Sequence, residues 1–140
     1  MPFDANLMFF DGSVSIANTS ATSLTRTLGH AVLDLKETGA KGVAVVIVVT
    51  GTDPAGACEM QPLIQCSDTI TFPGNREEHK MGGDIAPGHI SNNDIGNGGV
   101  FMRRVSTKKR YMRVKISGVS NGGFFGTTYI YACPYPFDTL

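Results

Sequence analysis

Strand-forming runs separated by turn signals dominate the sequence and predict an all-β protein. The chain has 17 Gly and 7 Pro among its 140 residues, which is typical of many turns between short strands. No segment shows a convincing helical pattern, and no internal repeat suggests a solenoid or a propeller. Eight or so short strands with long crossovers favour a jelly-roll-like β-sandwich.

Length and composition limit the classes of protein. A chain of 140 residues is predicted to form one domain, and its 41% hydrophobic and 17% charged content rules out wholesale disorder. The longest apolar run, residues 43–49, is far shorter than the roughly 20 residues of a membrane helix. The opening residues lack the basic and apolar regions of a secretory signal, and the three cysteines form no CxxC pair. We therefore expect reduced thiols in a protein made in the cytoplasm, with no membrane partner.

Strands in the first half are predicted from short apolar runs. Residues 7–10 form the first strand and end at the tight turn Asp11-Gly12. The Ser/Thr-rich residues 13–27 follow as an extended arm or an edge strand. Residues 43–50 are β-branched almost throughout and lack alternation, so both faces of this strand are expected to be covered.

Two further strands are predicted on either side of that run. In residues 31–36, Leu33 and Leu35 share one face, which predicts a half-buried strand. Residues 58–67 form the other strand. Because a proline cannot donate a backbone hydrogen bond, Pro62 predicts an edge or bulged position for it.

The second half begins with the least regular part of the sequence. Residues 75–99 are predicted to be a long irregular loop with one short strand near His89 and Ile90. Three more strands and an extended tail are then predicted, over residues 100–105, 110–117, 124–132 and 133–140.

Residues 100–118 are the most informative for function, because they hold seven Lys or Arg residues and no acid in a chain of zero net charge. They are predicted to form a strand pair with an inward core face and a cationic outer edge. Alternation in the second strand points Met112, Val114 and Ile116 inward. The predicted partner interface comprises Arg103, Arg104, Lys108, Lys109, Arg110, Tyr111, Arg113 and Lys115, with Tyr135 and Phe137 from the tail.

No catalytic signature accompanies this segment, and we predict that the protein is not an enzyme. None of His30, His79 and His89 lies in a GxSxG elbow or beside a nucleophilic cysteine motif. Glu77 and Glu78 could join His79 at a metal, but HExxH and paired CxxC spacings are absent. No metal site and no cofactor is predicted.

Three interpretations of the basic segment remain open. Arginine-rich strands can pair with the acidic surface of a protein partner, which is the favoured interpretation. The charges can instead form a solvated edge that prevents sheet-to-sheet aggregation. Nucleic-acid binding is third, because such domains are usually strongly basic as a whole.

Four blocks of the sequence carry a resemblance to a known family. They are DANLMFFDG at 4–12, the valine strand at 42–50, LIQCSD at 63–68 and KRYMRV at 109–114. In these blocks the chain resembles the capsid cement (decoration) proteins of tailed bacteriophages, of the kind found on a Bordetella podophage. The resemblance spans most of the chain, although residues 75–99 match no block of the family.

The resemblance implies a jelly-roll protein on the outer surface of an icosahedral head, where it bridges subunits of the major capsid protein. It also implies self-association at a symmetry axis, for which a homodimer is favoured over a homotrimer. The alternative from the residues is a carbohydrate-binding jelly roll in which Tyr129 or Tyr131 stacks on a sugar. The absence of tryptophan counts against that alternative.

Overall fold

The chain folds into β-strands throughout the part that a computed structural model describes, residues 8–16, 21–22, 32–36, 41–50, 58–80, 90–91, 99–120 and 125–134. In chain order the strands are β1 (Met8–Ile16), β2 (Ala21–Thr22), β3 (Leu33–Asp34), β4 (Lys41–Val49), β5 (Cys58–Ser67), β6 (Glu77–Lys80), β7 (Ile90–Ser91), β8 (Gly99–Thr107), β9 (Tyr111–Ser120) and β10 (Phe125–Pro134). The described residues contain no helix. Among them there is accordingly no helix long and apolar enough to cross a membrane. The all-β prediction is confirmed.

Two antiparallel sheets contain these strands. Sheet 1 has the order β1-β10-β4-β8. In sheet 2, β9 pairs with β5 on one side and with the short strands β2 and β3 on the other. The short strands β6 and β7 pair with the far side of β5. Both sheets are therefore four strand positions wide.

The core lies between the two sheets, because alternate side chains of both enter one hydrophobic cluster. Sheet 1 contributes Ile47 and Ile130, which are fully buried. Sheet 2 contributes Met112, Val114 and Ile116, so the predicted inward direction of these three side chains is confirmed. Each fully buried aliphatic side chain contributes about 1.5–3 kcal/mol to folding, which makes this cluster the main stabilising feature of a β-sandwich.

The predicted pairing of the two basic strands is wrong. β8 pairs along its whole length with β4 in sheet 1, whereas β9 pairs with β5 in sheet 2. Residues 108–110 therefore connect two sheets instead of closing a hairpin. A short charged connection is compatible with both arrangements, and the local sequence does not distinguish them.

Pro62 lies in the interior of sheet 2, not at an edge or a bulge. It is buried and pairs with Ile116 of β9. On the other side of β5, Glu59 and Met60 pair with β7, and the pairing with β6 begins at Leu63. Among the described residues no strand residue pairs with Pro62 on that side, which suits a residue without an amide hydrogen.

Two other predicted boundaries are wrong. Asp11 and the following glycine lie inside β1, where a register shift after Asp11 forms an irregularity and not a tight turn. At the other end, Cys133 and Pro134 belong to β10 and pair with β4. The predicted tail is therefore shorter, and its remaining residues, 135–140, lie outside the described residues.

The described part of the predicted irregular loop contains the strands β6 and β7. β7 confirms the short strand expected near Ile90, while β6 was missed because four charged or polar residues give little strand signal. Pairing with β5 stabilises β6, and its side chains alternate between half-buried and exposed. Glu77 and His79 consequently share one face of β6, and Glu78 lies on the other.

Candidate functional site

The basic residues that the sequence grouped together lie in three different places. Arg103 and Arg104 are exposed on β8, the edge strand of sheet 1. Residues 108–110 form the connection between the sheets. Arg113 and Lys115 lie on the outer face of sheet 2 with Tyr111, as their alternation predicted. Tyr135 and Phe137 lie outside the described residues.

Two cations of the connection are held by acidic residues of the same chain. Lys109 Nζ lies 2.6 Å from Asp68 Oδ2. The Arg110 guanidinium donates through Nε and Nη2 to the two oxygens of Asp34, at 3.0 and 2.9 Å. This bidentate contact, together with the backbone N–H of Lys36, lowers the pKa of Asp34 from 3.8 to about 2. These ion pairs hold the connection against β3 and against the residue that follows β5. Both cations are therefore less available to a partner than the sequence suggested.

A second set of polar contacts covers the outer face of sheet 2. Arg113 Nε donates to Gln65 Oε1 at 2.7 Å, and its guanidinium lies 4.3 Å from the centre of the Phe72 ring. Gln65 Nε2 in turn donates to Glu78 Oε1 at 2.8 Å, as does Arg76 Nε. Burial lowers the pKa of Arg113. The network satisfies the buried Gln65 amide and fixes Arg113 in place.

Arg103 and Lys108 differ from these cations. Within the described residues, neither forms an ion pair. Arg103 shares the core-facing side of β8 with Val105, yet it is exposed at the margin of the sandwich. A charged side chain in this position discourages edge-to-edge pairing and also leaves a cation available to a partner.

The outer face of sheet 1 is apolar, which the sequence analysis did not recognise as a surface. Val46 of β4 lies between Tyr131 and Met102 in the register, and the next pair on the same face flanks Val48 with Tyr129 and Val100. Val46 is buried and Val48 half-buried, so the prediction that both faces of β4 are covered holds only in part.

Exposure on this face is concentrated at its edge. Val100 and Met102 are 67% and 56% exposed, although both are large aliphatic side chains. Beside them is an open hollow of about 320 Å³ whose described lining consists of Met8, Val48, Tyr129 and Tyr131. We call this surface, Met8, Val48, Val100, Met102, Tyr129 and Tyr131, the apolar face. The alternation of Val100 and Met102 with core-facing Phe101 was the sequence signal for it.

A small polar cluster lies where β5 and β6 pair, beside the end of β8. The donor atoms of Cys66, Glu77 and His79 all lie within 4.8 Å of one another. Thr107 Oγ1 donates to Glu77 Oε2 at 2.8 Å, and burial raises the pKa of the Cys66 thiol to about 12. From the sequence, Glu77 and His79 were considered as possible metal ligands together with Glu78. In the structure, Cys66 lies beside Glu77 and His79, whereas Glu78 is on the opposite face of β6. Cross-strand pairing brings Cys66 there, because it determines which side chains meet.

No protein-family model matches the chain, and no curated protein or solved structure matches it. The fold, the apolar face and the distribution of charge are therefore the features that bear on function.

Proposed function

We propose that the protein is a structural virion protein, a cement or decoration protein that binds the outside of an icosahedral phage head. In this role it stabilises contacts between subunits of the major capsid protein. The observation that supports it best is the apolar face of sheet 1, because large apolar side chains grouped on one sheet face are typical of protein-binding surfaces. The blocks of sequence that resemble cement proteins give the proposal its particular form.

Charge beside the apolar face agrees with a protein partner. Arg104 follows Met102 on the same side of β8, and Arg103 lies at the adjacent margin of the sandwich. An apolar centre with a charged rim is the usual arrangement of protein interfaces. Such a rim favours a capsid surface that is acidic where the protein docks.

Binding of this kind would stabilise the head by mass action. A protein that binds the assembled shell and not its separated subunits shifts the equilibrium towards the shell. Attachment of a homodimer at a symmetry axis would engage several capsid subunits at once, so that modest contacts add up to firm attachment. The protein would accordingly be found on the outer capsid surface.

The sandwich in this proposal is a jelly roll. The chain passes back and forth between the sheets, since β1, β4, β8 and β10 belong to sheet 1 and the strands between them to sheet 2. Crossing connections between two antiparallel sheets are compatible with the Greek-key connections of a jelly roll and support this part of the proposal.

A carbohydrate-binding module is the second candidate, because Tyr129 and Tyr131 line the same hollow. Tyrosine rings can stack on sugars. The other described lining residues are Met8 and Val48, which offer no side-chain oxygen or nitrogen to hold sugar hydroxyls. The hollow fits an apolar side chain of a protein partner better. Nucleic-acid binding is disfavoured further because Lys109 and Arg110 are paired with acids.

Decoration of phage heads tests the proposal directly. Purified protein is mixed with heads that lack it, and bound protein is measured by co-sedimentation while head stability is measured by melting temperature. We expect saturable binding and a higher melting temperature. Glycan-array binding without head binding would support the carbohydrate module instead, and failure of both head assays would refute the cement role.

A further inference from the structure

We propose that Cys66, Glu77 and His79 form a binding site for one Zn²⁺ ion at the margin of the sandwich, where β5, β6 and the end of β8 meet. The site is independent of the cement role, because it lies in different residues from the apolar face. Its three side chains offer a thiol, a carboxylate and an imidazole, which together form a donor set suited to Zn²⁺.

The strands place the three donors together. Glu77 and His79 are two positions apart on β6, so both point to the same side of the sheet. Cys66 is the register partner of Glu77 on the adjacent strand β5. Ligands held by paired strands keep their spacing better than ligands on loops, so the site is largely preformed.

Distances within the cluster agree with tetrahedral coordination. Ligand bonds of about 2.0–2.3 Å to Zn²⁺ place neighbouring donor atoms roughly 3.3–3.8 Å apart. His79 Nε2 and Glu77 Oε2 are 3.7 Å apart, and no donor atom is more than 4.8 Å from another. Small side-chain rotations would therefore bring all three within bonding distance of one ion.

The hydrogen bonding of the cluster leaves a place for a cation. His79 Nε2 is buried and, within the described part of the chain, has no hydrogen-bond partner. Its 3.7 Å separation from Glu77 Oε2 is too long for a hydrogen bond. Leaving a buried nitrogen without a partner is unfavourable, and a metal bond to Nε2 removes that cost. The thiolate and the carboxylate would balance the charge of a divalent ion.

Solvent can reach the site from one side. The side chains of His79 and Glu77 are 27% and 37% exposed, while Cys66 is fully buried. A Zn²⁺ ion would therefore enter past His79 and Glu77 and contact the sulfur at the inner end. With three protein ligands, the fourth position is left for a water molecule.

Titration of the protein with Co²⁺, a spectroscopic substitute for Zn²⁺, tests the site without any assay of function. We expect one ion per chain and a near-ultraviolet charge-transfer band that reports a bond between cobalt and sulfur. Cys66→Ser should remove the band. Cys133→Ser should keep it, because the Cys133 sulfur instead contacts the carbonyl oxygen of Ala44 at 3.6 Å. Absence of the band from the unmodified protein would overturn the proposal.

A second measurement assigns the other two ligands. Affinity for Zn²⁺ is measured by competition with a chelator, and circular dichroism verifies that each variant is folded. His79→Gln and Glu77→Gln should each weaken binding at least about tenfold, since even indirect partners of metal ligands have effects of that size. Glu78→Gln is the matched control, because Glu78 is on the same strand but the opposite face. Equal affinities of His79→Gln and Glu78→Gln would contradict the assigned ligands.

Discussion

Acidic substitutions on the apolar face give the sharpest test of how this protein attaches to its partner. Val100 and Met102 are mostly exposed, so a carboxylate at either position remains solvated in the isolated protein. We expect Val100→Glu and Met102→Glu to change the free energy of unfolding by less than about 0.5 kcal/mol each. In the bound state, by contrast, the carboxylate would be transferred from water into an apolar interface.

The size of the effect follows from the exposed fractions. Complete burial of a valine or methionine side chain contributes about 1.5–3 kcal/mol. Since 67% of Val100 and 56% of Met102 are still exposed, docking can gain roughly 1–2 kcal/mol at each. Losing both contacts should weaken binding per copy by about 2–4 kcal/mol, which is roughly 30-fold to 1000-fold.

The assay compares the double variant with a control of similar exposure. Ile70 is 62% exposed but lies in the turn after β5, away from the apolar face. Binding to phage heads is measured by co-sedimentation over a range of protein concentrations. Ile70→Glu should bind like the unmodified protein. If the double variant of Val100 and Met102 also binds normally, the apolar face is not the attachment surface and the reasoning fails.

Three other predictions concern charge and the core. Arg103→Glu combined with Arg104→Glu should weaken head binding while circular dichroism shows that the isolated protein stays folded, and retained decoration would place the interface elsewhere. Because the folded-state pKa of Asp34 is depressed to about 2, its contact with Arg110 stabilises the fold above about pH 4, and this contribution is lost as the pH falls towards 2. Urea midpoints from pH 5 to 2 should show this loss, and Asp34→Asn should reduce the slope; an identical slope in the variant would contradict the assignment. Ile130→Ala should cost about 2–5 kcal/mol in denaturant titrations because the side chain is fully buried, and a loss below about 1 kcal/mol would show that the site repacks.

Local patterns predicted much of the secondary structure. The bounds predicted for the strand at residues 58–67 are those observed for β5, and the inward direction of Met112, Val114 and Ile116 follows directly from alternation. Both features depend on the two-residue period of a strand, which each short segment expresses by itself. β6 was missed because its stability comes from pairing with β5 and not from its own residues.

The candidate sites were harder to predict than the strands. The sequence singled out Tyr129 and Tyr131 as candidates for stacking on a sugar, and their neighbours Met8, Val100 and Met102 come from distant parts of the chain. The apolar face exists only because β1, β10, β4 and β8 lie side by side in sheet 1. Strand pairing between distant segments is not encoded in the period of any single strand.

The sequence by itself determined the all-β class, most strand positions and the direction of side chains in the regular strands, because these depend on local alternation and turn residues. Only the tertiary structure decided which strands are neighbours. It separated the basic residues of 100–118 between two sheets, paired Arg110 with Asp34, and brought Cys66 to Glu77 and His79. Burying one apolar face of each sheet in a common core fixes these pairings, and that requirement involves the whole chain at once.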